Sequence, residues 1–477
     1  MTAISVVFDH KLGDARLEKR ANRILHQMIK SGSGVPNRLN THHRERMGMS
    51  RFLNNNRLSM DALVNSITQS WYTEEYADRD LYVIQDTTDY NAIGHKGRLS
   101  ESDEDLGPLW KDDTNQEFGF FLHPGLVLDG DSGFPLGYTH LHIWNRCVDQ
   151  PNRHERNYKR QPIEQKSSYR WLESIDYSTQ VLKGHRGKVV HVMDREGDIY
   201  ELFAKPMPPN HHLVIRTSKQ RVIYDESDSK HLLWQYLEEQ ATKGLVIEVA
   251  IPRQKKRKAR KAKMALSYGR VEIARPKDRT KAQGPDRIPL YFVQLKELEH
   301  SVPDGEAPVH WTIWTDMVIE NEHQALKIVD IYQNRWNIEE LFSLLKTKGL
   351  ECESAQVESG IAMKRLVIMA MQAALHLLQL LKDRDHVYQE KATLLIDTQD
   401  LTFVELLIPI YEGQTQKQKN PHPPESLARL AWLIGRMGGY SGYKSQSPPG
   451  PKTMRWGWRR FQEQLSAWRI VNQIKLD

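Results

Sequence analysis

The sequence predicts a mixed α/β protein with more than one domain, and three observations support this prediction. The chain has 477 residues, which is more than a single hydrophobic core usually serves. Apolar residues make up 39% of it and charged residues 27%, a globular composition that excludes a wholly disordered, collagen-like or coiled-coil chain. Strand-like and helix-like hydrophobic periods also alternate along its middle, as they do in α/β domains.

Residues 1–75 are predicted to be helical and to form a separate N-terminal domain. Basic side chains recur there at helical spacing, at Arg16, Lys19, Arg20 and Arg23. A solvated helix face has the same pattern, so charge alone leaves a structural and a binding role equally open. The net charge of the whole chain is only +6, which permits nucleic acid as a partner without requiring it.

Residues 76–220 alternate between predicted strands and helices. A strand ends at Asp86, two strands are joined by the turn DGDSGFP, and a helix, a buried strand, a short helix and another strand follow. The expected spans are 81–86 for LYVIQD, 163–183 for the helix, 188–194 for KVVHVMD and 212–217 for HLVIRT. This order predicts a mixed α/β domain, which we extend to residue 375.

Residues 220–320 are predicted to be a β-rich insertion in that domain. The segment 253–263, RQKKRKARKAK, carries eight basic residues in eleven, and we expect it to be a mobile loop. Such a tract is often only a solvated loop. Its place next to a candidate catalytic α/β core adds support for a role in contacting a phosphate backbone, and both interpretations stay open.

A long helix is predicted over 324–348, with Gly349 as its stop. Further helices are expected to about residue 410, followed by a polar linker over 413–425 and a last helical segment. We treat 376–477 as a C-terminal helical domain.

The sequence favours a soluble, cytoplasmic protein. The start turns charged before a signal-peptide core could form. The most apolar stretch, Leu366 to Leu381, is interrupted by three polar residues on one helical face, which predicts a buried amphipathic helix and not a membrane span. Two cysteines, Cys147 and Cys352, exclude a disulfide scaffold and a four-cysteine zinc site, and favour a reducing compartment.

Three carboxylates are candidates for metal-dependent chemistry. Asp86 and Asp194 each end a predicted strand, and Glu339 lies on the long helix. An aspartate after a strand often serves turn chemistry only, and Asp89 and Asp198 compete for the same role. Together, however, carboxylates from two strand ends and a helix can hold two Mg²⁺ or Mn²⁺ ions, which prefer oxygen ligands. Two such ions catalyse phosphodiester chemistry.

The helix around Glu339 carries a more specific pattern. Tyr332, Arg335, Glu339 and Lys346 fall within about 60° of one another at 100° per residue, beside an apolar stripe. An exposed, salt-bridged face would explain the charges but not the tyrosine.

The spacing Y-x2-R-x3-E-x6-K, from Tyr332 to Lys346, resembles the Tyr-Arg-Glu-Lys signature of bacterial cut-and-paste insertion-sequence transposases with an Asp-Asp-Glu active site. The similarity runs almost end to end, with insertions and deletions chiefly in 95–118, 220–265 and 440–455. It is carried in order by LGDARLEKRANRI, QDTTDYN, MDREGDIY, VDIYQNRWNIEE and GRMGGY…GWRRFQEQL.

The resemblance implies a ribonuclease-H-like catalytic core with a β-rich insertion, a helical N-terminal DNA-binding domain and a helical C-terminal dimerisation domain. It implies a DNA transposase that binds the inverted repeats at transposon ends and cleaves them through a hairpin intermediate. The enzyme would then join the 3′ ends to target DNA, using two Mg²⁺ or Mn²⁺ ions. It would act as a homodimer bridging two ends, with no nucleotide cofactor and no membrane partner.

The resemblance also implies roles for single residues. Asp86, Asp194 and Glu339 take the metal-binding triad positions. The remaining candidates are DNA-binding residues: Tyr332, Arg335 and Lys346, which grip phosphates near a flipped base, Trp311, which stacks on that base, Arg216 in the same pocket, Arg16, Arg20 and Arg51 in the N-terminal domain, and Lys444 in the C-terminal domain.

Two rival functions and one rival residue stay open. A structure-selective ribonuclease-H-like nuclease would also use three carboxylates, and would cut DNA without joining it. A catalytically inactive end-binding inhibitor would do neither, although all three acids are present. Trp311 could be a core residue, and Trp314 is then its nearest competitor for the stacking role.

Overall fold

The chain forms two compact units, each assembled from separate segments. A computed structural model describes residues 7–39, 42–95, 98–99, 103–109, 117–147, 161–241, 245–251, 257–276, 284–385, 389–443 and 446–472. We call Met1–Tyr76, Thr87–Gln150 and Asn337–Asp477 the first unit, and Ala77–Asp86 and Pro151–Trp336 the second unit. The three domains expected from the sequence stay a prediction.

Helices occur throughout the described chain and are numbered in chain order. Helices α1 to α13 are Ala15–Ser31, Pro36–Leu39, His43–Leu53, Met60–Thr68, Arg170–Val181, Tyr200–Phe203, Leu233–Ala241, Glu322–Gln333, Trp336–Leu345, Gly360–Lys382, Leu401–Tyr411, Leu427–Met437 and Pro451–Val471.

The strands of the described residues are numbered in the same way. Strands β1 to β13 are Leu81–Gln85, Thr88–Asn91, Gly107–Pro108, Phe118–Asp129, Pro135–Trp144, Val189–Met193, His211–Arg216, Val222–Tyr224, Lys230–Leu232, Leu245–Ile251, Arg260–Ala274, Arg287–Glu297 and His310–Thr315.

The second unit is built on a mixed sheet. Strands β1, β6 and β7 run parallel to one another, and β13, β12 and β11 continue the sheet with antiparallel pairing. The residues of β1 and β6 are all buried, which explains their continuous apolar runs, because a parallel strand is normally covered on both faces. Helix α8 packs near β6 and β7. The core around these strands includes Trp171, Trp314 and Phe292, each at most 1% exposed.

The predicted β-rich insertion extends this sheet. Its last strand, β13, pairs with β7, so the inserted strands and the three parallel strands belong to one continuous hydrogen-bonded sheet. The prediction of a mobile loop over 253–263 is wrong for its second half, because Arg260 to Lys263 belong to β11 and pair with β10. Alternating apolar side chains, such as the fully buried Ala262 and Met264, hold that stretch on the sheet. Residues 253–256 lie outside the described part of the chain.

The first unit combines helices with a small antiparallel sheet. Strands β4 and β5 form the predicted hairpin, and β2 and β3 pair with β4. The hairpin turn is held by Asp129, whose Oδ1 accepts hydrogen bonds from the backbone amides of Asp131 and Ser132. Helix α1 begins after Asp14, whose carboxylate accepts from two backbone amides of the first turn, and it ends at Gly32 in the left-handed conformation.

Helix α10 is the buried centre of the first unit. Its polar residues are buried with the rest of the helix: Gln379 donates to the carbonyl of Pro135, and His376 bonds to the carbonyl of Gln372 four residues earlier. Burial lowers the pKa of His376 to about 4, so this imidazole is neutral near pH 7. The helix is long and apolar enough to cross a membrane, yet 94% of its most apolar window is buried inside the protein. Such a helix is compatible with a soluble protein.

The prediction of one continuous helix over 324–348 is wrong. Helix α8 ends at Gln333 and α9 begins at Trp336. The side chain of Asn334 donates to the carbonyl of Asp330, which in an unbroken helix would accept the backbone amide of residue 334. The amides of Asn334 and Arg335 bond instead to carbonyls three residues earlier. The single-face argument for Tyr332 to Lys346 therefore does not hold across this interruption.

The predicted stop at Gly349 lies four residues beyond the end of α9. The backbone passes so close to the preceding turn that a Cβ at residue 349 would lie 2.1 Å from the carbonyl oxygen of Leu344. Only glycine fits such an approach.

Candidate functional site

The second unit contains a cavity of about 730 Å³ beside the carboxyl end of β6. Its walls come from the segment after β6, the strands β7 and β10, Arg257 between β10 and β11, residues 307–311 at the start of β13, and helix α8 with the residues that follow it. Four of the lining residues are DNA-binding candidates predicted from the sequence: Arg216, Trp311, Tyr332 and Arg335.

Asp86 and Asp194 follow neighbouring parallel strands. Ile84 of β1 is opposite Val192 of β6, so the residues two positions further along, Asp86 and Asp194, occupy equivalent places at the strand ends. Parallel neighbours lie about 4.8 Å apart in the hydrogen-bonding direction. The structure therefore brings these two predicted carboxylates to one edge of the sheet.

Each of the two aspartates has a hydrogen-bond donor on its carboxylate. Arg335 donates from Nη1 to Oδ2 of Asp86 at 3.0 Å, and both side chains are at most one-fifth exposed. Asp194 accepts from the backbone amide of Glu196 at 2.8 Å and starts a short turn of 3₁₀ helix. Thus Arg335, predicted to grip a phosphate, is oriented in this structure by Asp86.

The aromatic pair of the cavity is Trp311 and Tyr332. Their ring centres are 6.0 Å apart with planes at 64°, an edge-to-face contact, and Trp311 is only half-buried on β13. Its competitor Trp314 is completely buried in the hydrophobic core. The structure therefore places Trp311, and not Trp314, where a ligand can reach the indole.

Arg216 connects the aromatic pair to the strand beside it. Its guanidinium donates to the carbonyl of His310 at 3.0 Å and lies close enough to Tyr332 for the two side chains to influence each other's pKa. Burial raises the pKa of Tyr332, so the phenol stays protonated near neutral pH. Burial lowers the pKa of Arg216, but the ordinary pKa of a guanidinium is so high that the group stays charged. A fixed cation beside an accessible indole can bind a nucleotide by its phosphate and its base.

Asp198 and Asp89 are the alternatives to the predicted metal ligands, and each has a hydrogen-bond partner within the protein. Asp198 is completely buried and bonds to the side chains of Arg221 and Thr217. Asp89, in the first unit, accepts from Lys346 at 3.4 Å. Both are accounted for by the fold.

Glu339 and Lys346 belong to the first unit. Glu339 is half-buried in the first turn of α9, where a carboxylate is favoured by the helix dipole. Lys346 lies 3.4 Å from Asp89 and 3.5 Å from Glu353, so its ammonium has two carboxylate partners. The metal-binding role of Glu339 and the phosphate-binding role of Lys346 stay predictions.

The predicted N-terminal DNA-binding residues lie on two helices of the first unit. Arg16 on α1 and Arg51 on α3 are exposed. Arg20 also lies on α1, but it is paired with Glu45 at 3.0 Å, and Arg23 reaches the same carboxylate at 3.2 Å. Lys444 lies outside the described residues.

The donor chemistry at the sheet edge fits a hard divalent cation. Asp86 and Asp194 are carboxylates from neighbouring strands, the oxygen donors that Mg²⁺ and Mn²⁺ prefer. Within the described part of the chain, no group of three or more His, Cys, Asp or Glu side chains is gathered closely enough to hold a metal ion. The two aspartates thus supply part of the predicted ligand set.

Sequence reasoning missed several residues of the cavity, among them two arginines and a histidine. Arg195 directly follows Asp194, His310 precedes Trp311, and Arg257 lies inside the basic tract. Only Arg257 had a usable signal, its place in a charged segment, and nothing in the pattern separated it from the other basic residues of that segment. No protein-family model matches the chain.

Proposed function

We propose that this protein is a DNA transposase that binds transposon-end inverted repeats, cleaves them through a hairpin and joins the 3′ ends to target DNA. The proposal draws most support from the cavity of the second unit, where an accessible indole and a fixed guanidinium lie beside a strand end with an aspartate. Its volume of about 730 Å³ is in the range of ligand pockets and suits a nucleotide.

In this proposal, Trp311 stacks on a base that leaves the DNA helix. Closing a hairpin strains the terminal base pair, and extruding one base relieves that strain at a cost of a few kcal/mol. Stacking on an aromatic ring recovers about 1–3 kcal/mol. Tyr332 contacts the indole by an edge-to-face approach and holds its orientation. Arg216, fixed by the carbonyl of His310, places a positive charge where the backbone of the extruded nucleotide would run.

Asp86, Asp194 and Glu339 are the proposed ligands of two divalent cations. When bound, such ions activate a water or a 3′-hydroxyl and stabilise the leaving oxygen. Arg335 holds the Asp86 carboxylate in place by an ion pair. The backbone amide of Glu196 orients Asp194, so both carboxylates have defined positions at the sheet edge.

The ribonuclease-H-like core is proposed for the sheet region of β1, β6 and β7, whose parallel order is compatible with it. We propose the helices α1 to α4 as the N-terminal DNA-binding domain, because Arg16 and Arg51 are exposed there. A cytoplasmic location follows from the same function.

We propose a homodimer that pairs two DNA ends through the C-terminal helices. Helix α11 exposes Leu406 and Ile410, one helical turn apart, with 55% and 73% of their surface accessible. In this proposal, the two side chains form part of the dimer contact.

The test uses the full-length chain and DNA that carries the inverted repeats flanking its gene. Gel shift is measured first, and Mg²⁺ and a target plasmid are then added. We expect a shifted complex, nicked and hairpin products, and donor ends joined to the plasmid. Cutting without joining would identify a structure-selective nuclease. Binding without cutting would identify an inactive end-binding inhibitor.

A further inference from the structure

The cavity of the second unit contains two kinds of arginine. Arg216 and Arg335 have acceptors within the protein, the carbonyl of His310 and the carboxylate of Asp86, each at 3.0 Å. Arg195 and Arg257 line the same space, and the Nε of Arg257 is buried without a hydrogen-bond partner. Two of the four cavity guanidinium groups are therefore bound by the protein, whereas Arg257 keeps a donor without an acceptor among the described residues.

Arg257 is the more informative of the two. Its Nε is buried and has no hydrogen-bond partner among the described residues. An arginine cannot discard its proton in a protein, so it cannot avoid the cost of burial by becoming neutral. A buried donor without an acceptor is destabilising, and such groups in folded proteins call for an explanation. A ligand with anionic oxygen atoms supplies one, because it gives the guanidinium the acceptors that the protein does not provide.

The basic tract divides into residues with different tasks. Arg260, three residues after Arg257, is bound on both sides, by Glu297 at 2.8 Å and by Glu306. Lys258 is exposed. Arg260 therefore fastens β11 to its neighbours, whereas Arg257 lines the cavity and has no carboxylate partner among the described residues.

We propose that Arg257 and Arg195 bind a phosphate group of a nucleic-acid strand whose base lies against Trp311. This inference rests on the proposed function and adds the position of the phosphate. A guanidinium binds phosphate oxygens through two parallel hydrogen bonds, a geometry that a lysine cannot provide. If the ligand were a simple anion, the arginines alone would account for its binding. The indole in the same cavity makes a nucleotide the better match than an acidic peptide, because a base supplies the flat surface that an aromatic ring stacks on.

The experiment uses full-length protein and a single-stranded oligonucleotide of about twelve nucleotides, a length comparable to known single-strand binding sites, with a central 4-thiothymidine. No metal is added. After near-ultraviolet irradiation at sub-saturating protein, mass spectrometry of the peptides locates the cross-links. We expect adducts at Trp311 or Tyr332. Arg257→Gln should lower the yield of these cavity adducts roughly tenfold or more, because charge-assisted hydrogen bonds to phosphate are lost.

Lys258→Gln is the matched control, since it removes one positive charge from the adjacent position. It should leave the cavity adducts within about twofold of the unsubstituted chain, as expected for an exposed charge screened by salt. Adducts elsewhere on the chain should be unchanged by Arg257→Gln. The melting temperature of Arg257→Gln without ligand should be equal or higher, because the substitution removes a buried Nε donor that has no acceptor.

Four results would overturn the inference: no cavity adducts in the unsubstituted chain, full cavity adducts in Arg257→Gln, an equal loss in both variants, or a lower melting temperature together with the loss in Arg257→Gln. The cross-linking experiment measures binding alone, because no metal is present to support cleavage or joining. A chain that fails to join DNA can therefore still show the cavity adducts, and a joining-competent Arg257→Gln variant with full adducts would reject the phosphate site alone.

Discussion

The second unit contains two groups of aspartate and arginine residues, one closed within the protein and one open to a cavity. Asp198 and Arg221 form a closed ion pair in which the aspartate is completely buried and the arginine 6% exposed. Asp194, only four residues before Asp198, faces the cavity together with four arginines. Both groups contain an aspartate and at least one guanidinium, yet only the first is closed by the protein itself.

The closed group satisfies almost every donor that surrounds it. Asp198 accepts from the hydroxyl of Thr217 at 2.8 Å, from the backbone amides of Ser218 and Lys219, and from Arg221 on its other oxygen. The guanidinium of Arg221 also lies over the ring of Phe203. This arrangement fixes the chain between α6 and β8 and leaves no place for a ligand.

In the cavity, by contrast, positive charges exceed their acceptors. Its arginines outnumber its carboxylates, and Arg257 keeps a buried donor without an acceptor among the described residues. The comparison shows that residues of the same type can have different roles, and that their hydrogen bonds distinguish these roles. The fully closed pair of Asp198 and Arg221 holds the fold, and a donor left without an acceptor, as at Arg257, indicates where a ligand binds.

The largest expected effect concerns Asp194. Asp194→Asn should reduce Mg²⁺-dependent nicking of transposon-end DNA at least about a thousandfold, since a metal ligand contributes several kcal/mol to the transition state. End binding should persist, and the amide oxygen can still accept from Glu196. Asp86→Asn and Glu339→Gln should behave alike. Nicking above trace levels in any one of them would remove that residue from the triad.

Asp198→Asn should lower stability and leave the nicking rate unchanged, the opposite of Asp194→Asn. Removing one charge from this buried pair leaves Arg221 uncompensated, so we expect a loss of about 3–5 kcal/mol in the free energy of unfolding. Denaturant unfolding measures this loss, and residual folded protein should nick DNA at the normal rate. A stable Asp198→Asn variant with no nicking would exchange the roles of the two aspartates.

The sequence predicted the elements that carry these groups better than it predicted their contacts. The strands ending at Asp86 and Asp194 follow from continuous apolar runs, a pattern that depends only on local burial. The helix interruption at Asn334 could not be predicted, because asparagine is tolerated within helices and only its bond to Asp330 shows the competition with the backbone.

The same limit applies to the candidate site. Arg257 and Arg260 look identical in the basic tract, and they differ only because Glu297 and Glu306 reach one of them through sheet pairing. Glu297 is separated from Arg260 by 37 positions in the sequence. Pairing over such a distance depends on the tertiary fold, so no local pattern records which arginine keeps a partner.

A smaller, more selective effect is expected for Trp311. Trp311→Ala should leave first-strand nicking near normal and slow hairpin formation roughly five- to two-hundredfold, since about 1–3 kcal/mol of stacking is lost. Separate rates for the two steps measure this. An abasic nucleotide at the flipped position should partly restore the rate, because extrusion then costs less.

Trp314→Ala is the control for that variant. Trp314 is completely buried, so its truncation should cost about 3–5 kcal/mol of stability and depress all steps together. If Trp311→Ala instead lowers the melting temperature and both rates equally, then Trp311 is a packing residue and the stacking role is wrong.

The smallest effect tests whether the distinction between satisfied and unsatisfied cations extends to the first unit. Arg16 is exposed on α1, whereas Arg20, four residues later, shares Glu45 with Arg23. Binding that releases counterions makes log K fall linearly with log salt, with a slope of about 0.9 for each phosphate contacted on duplex DNA. Arg16→Gln should therefore reduce the slope by about 0.9, and Arg20→Gln by clearly less, because Glu45 already neutralises part of its charge. Gel shifts of end DNA between low and physiological salt give both slopes. Equal reductions would show that Arg20 leaves Glu45 for a phosphate on binding, and a flat plot for the unsubstituted chain would reject phosphate contact through these helices altogether.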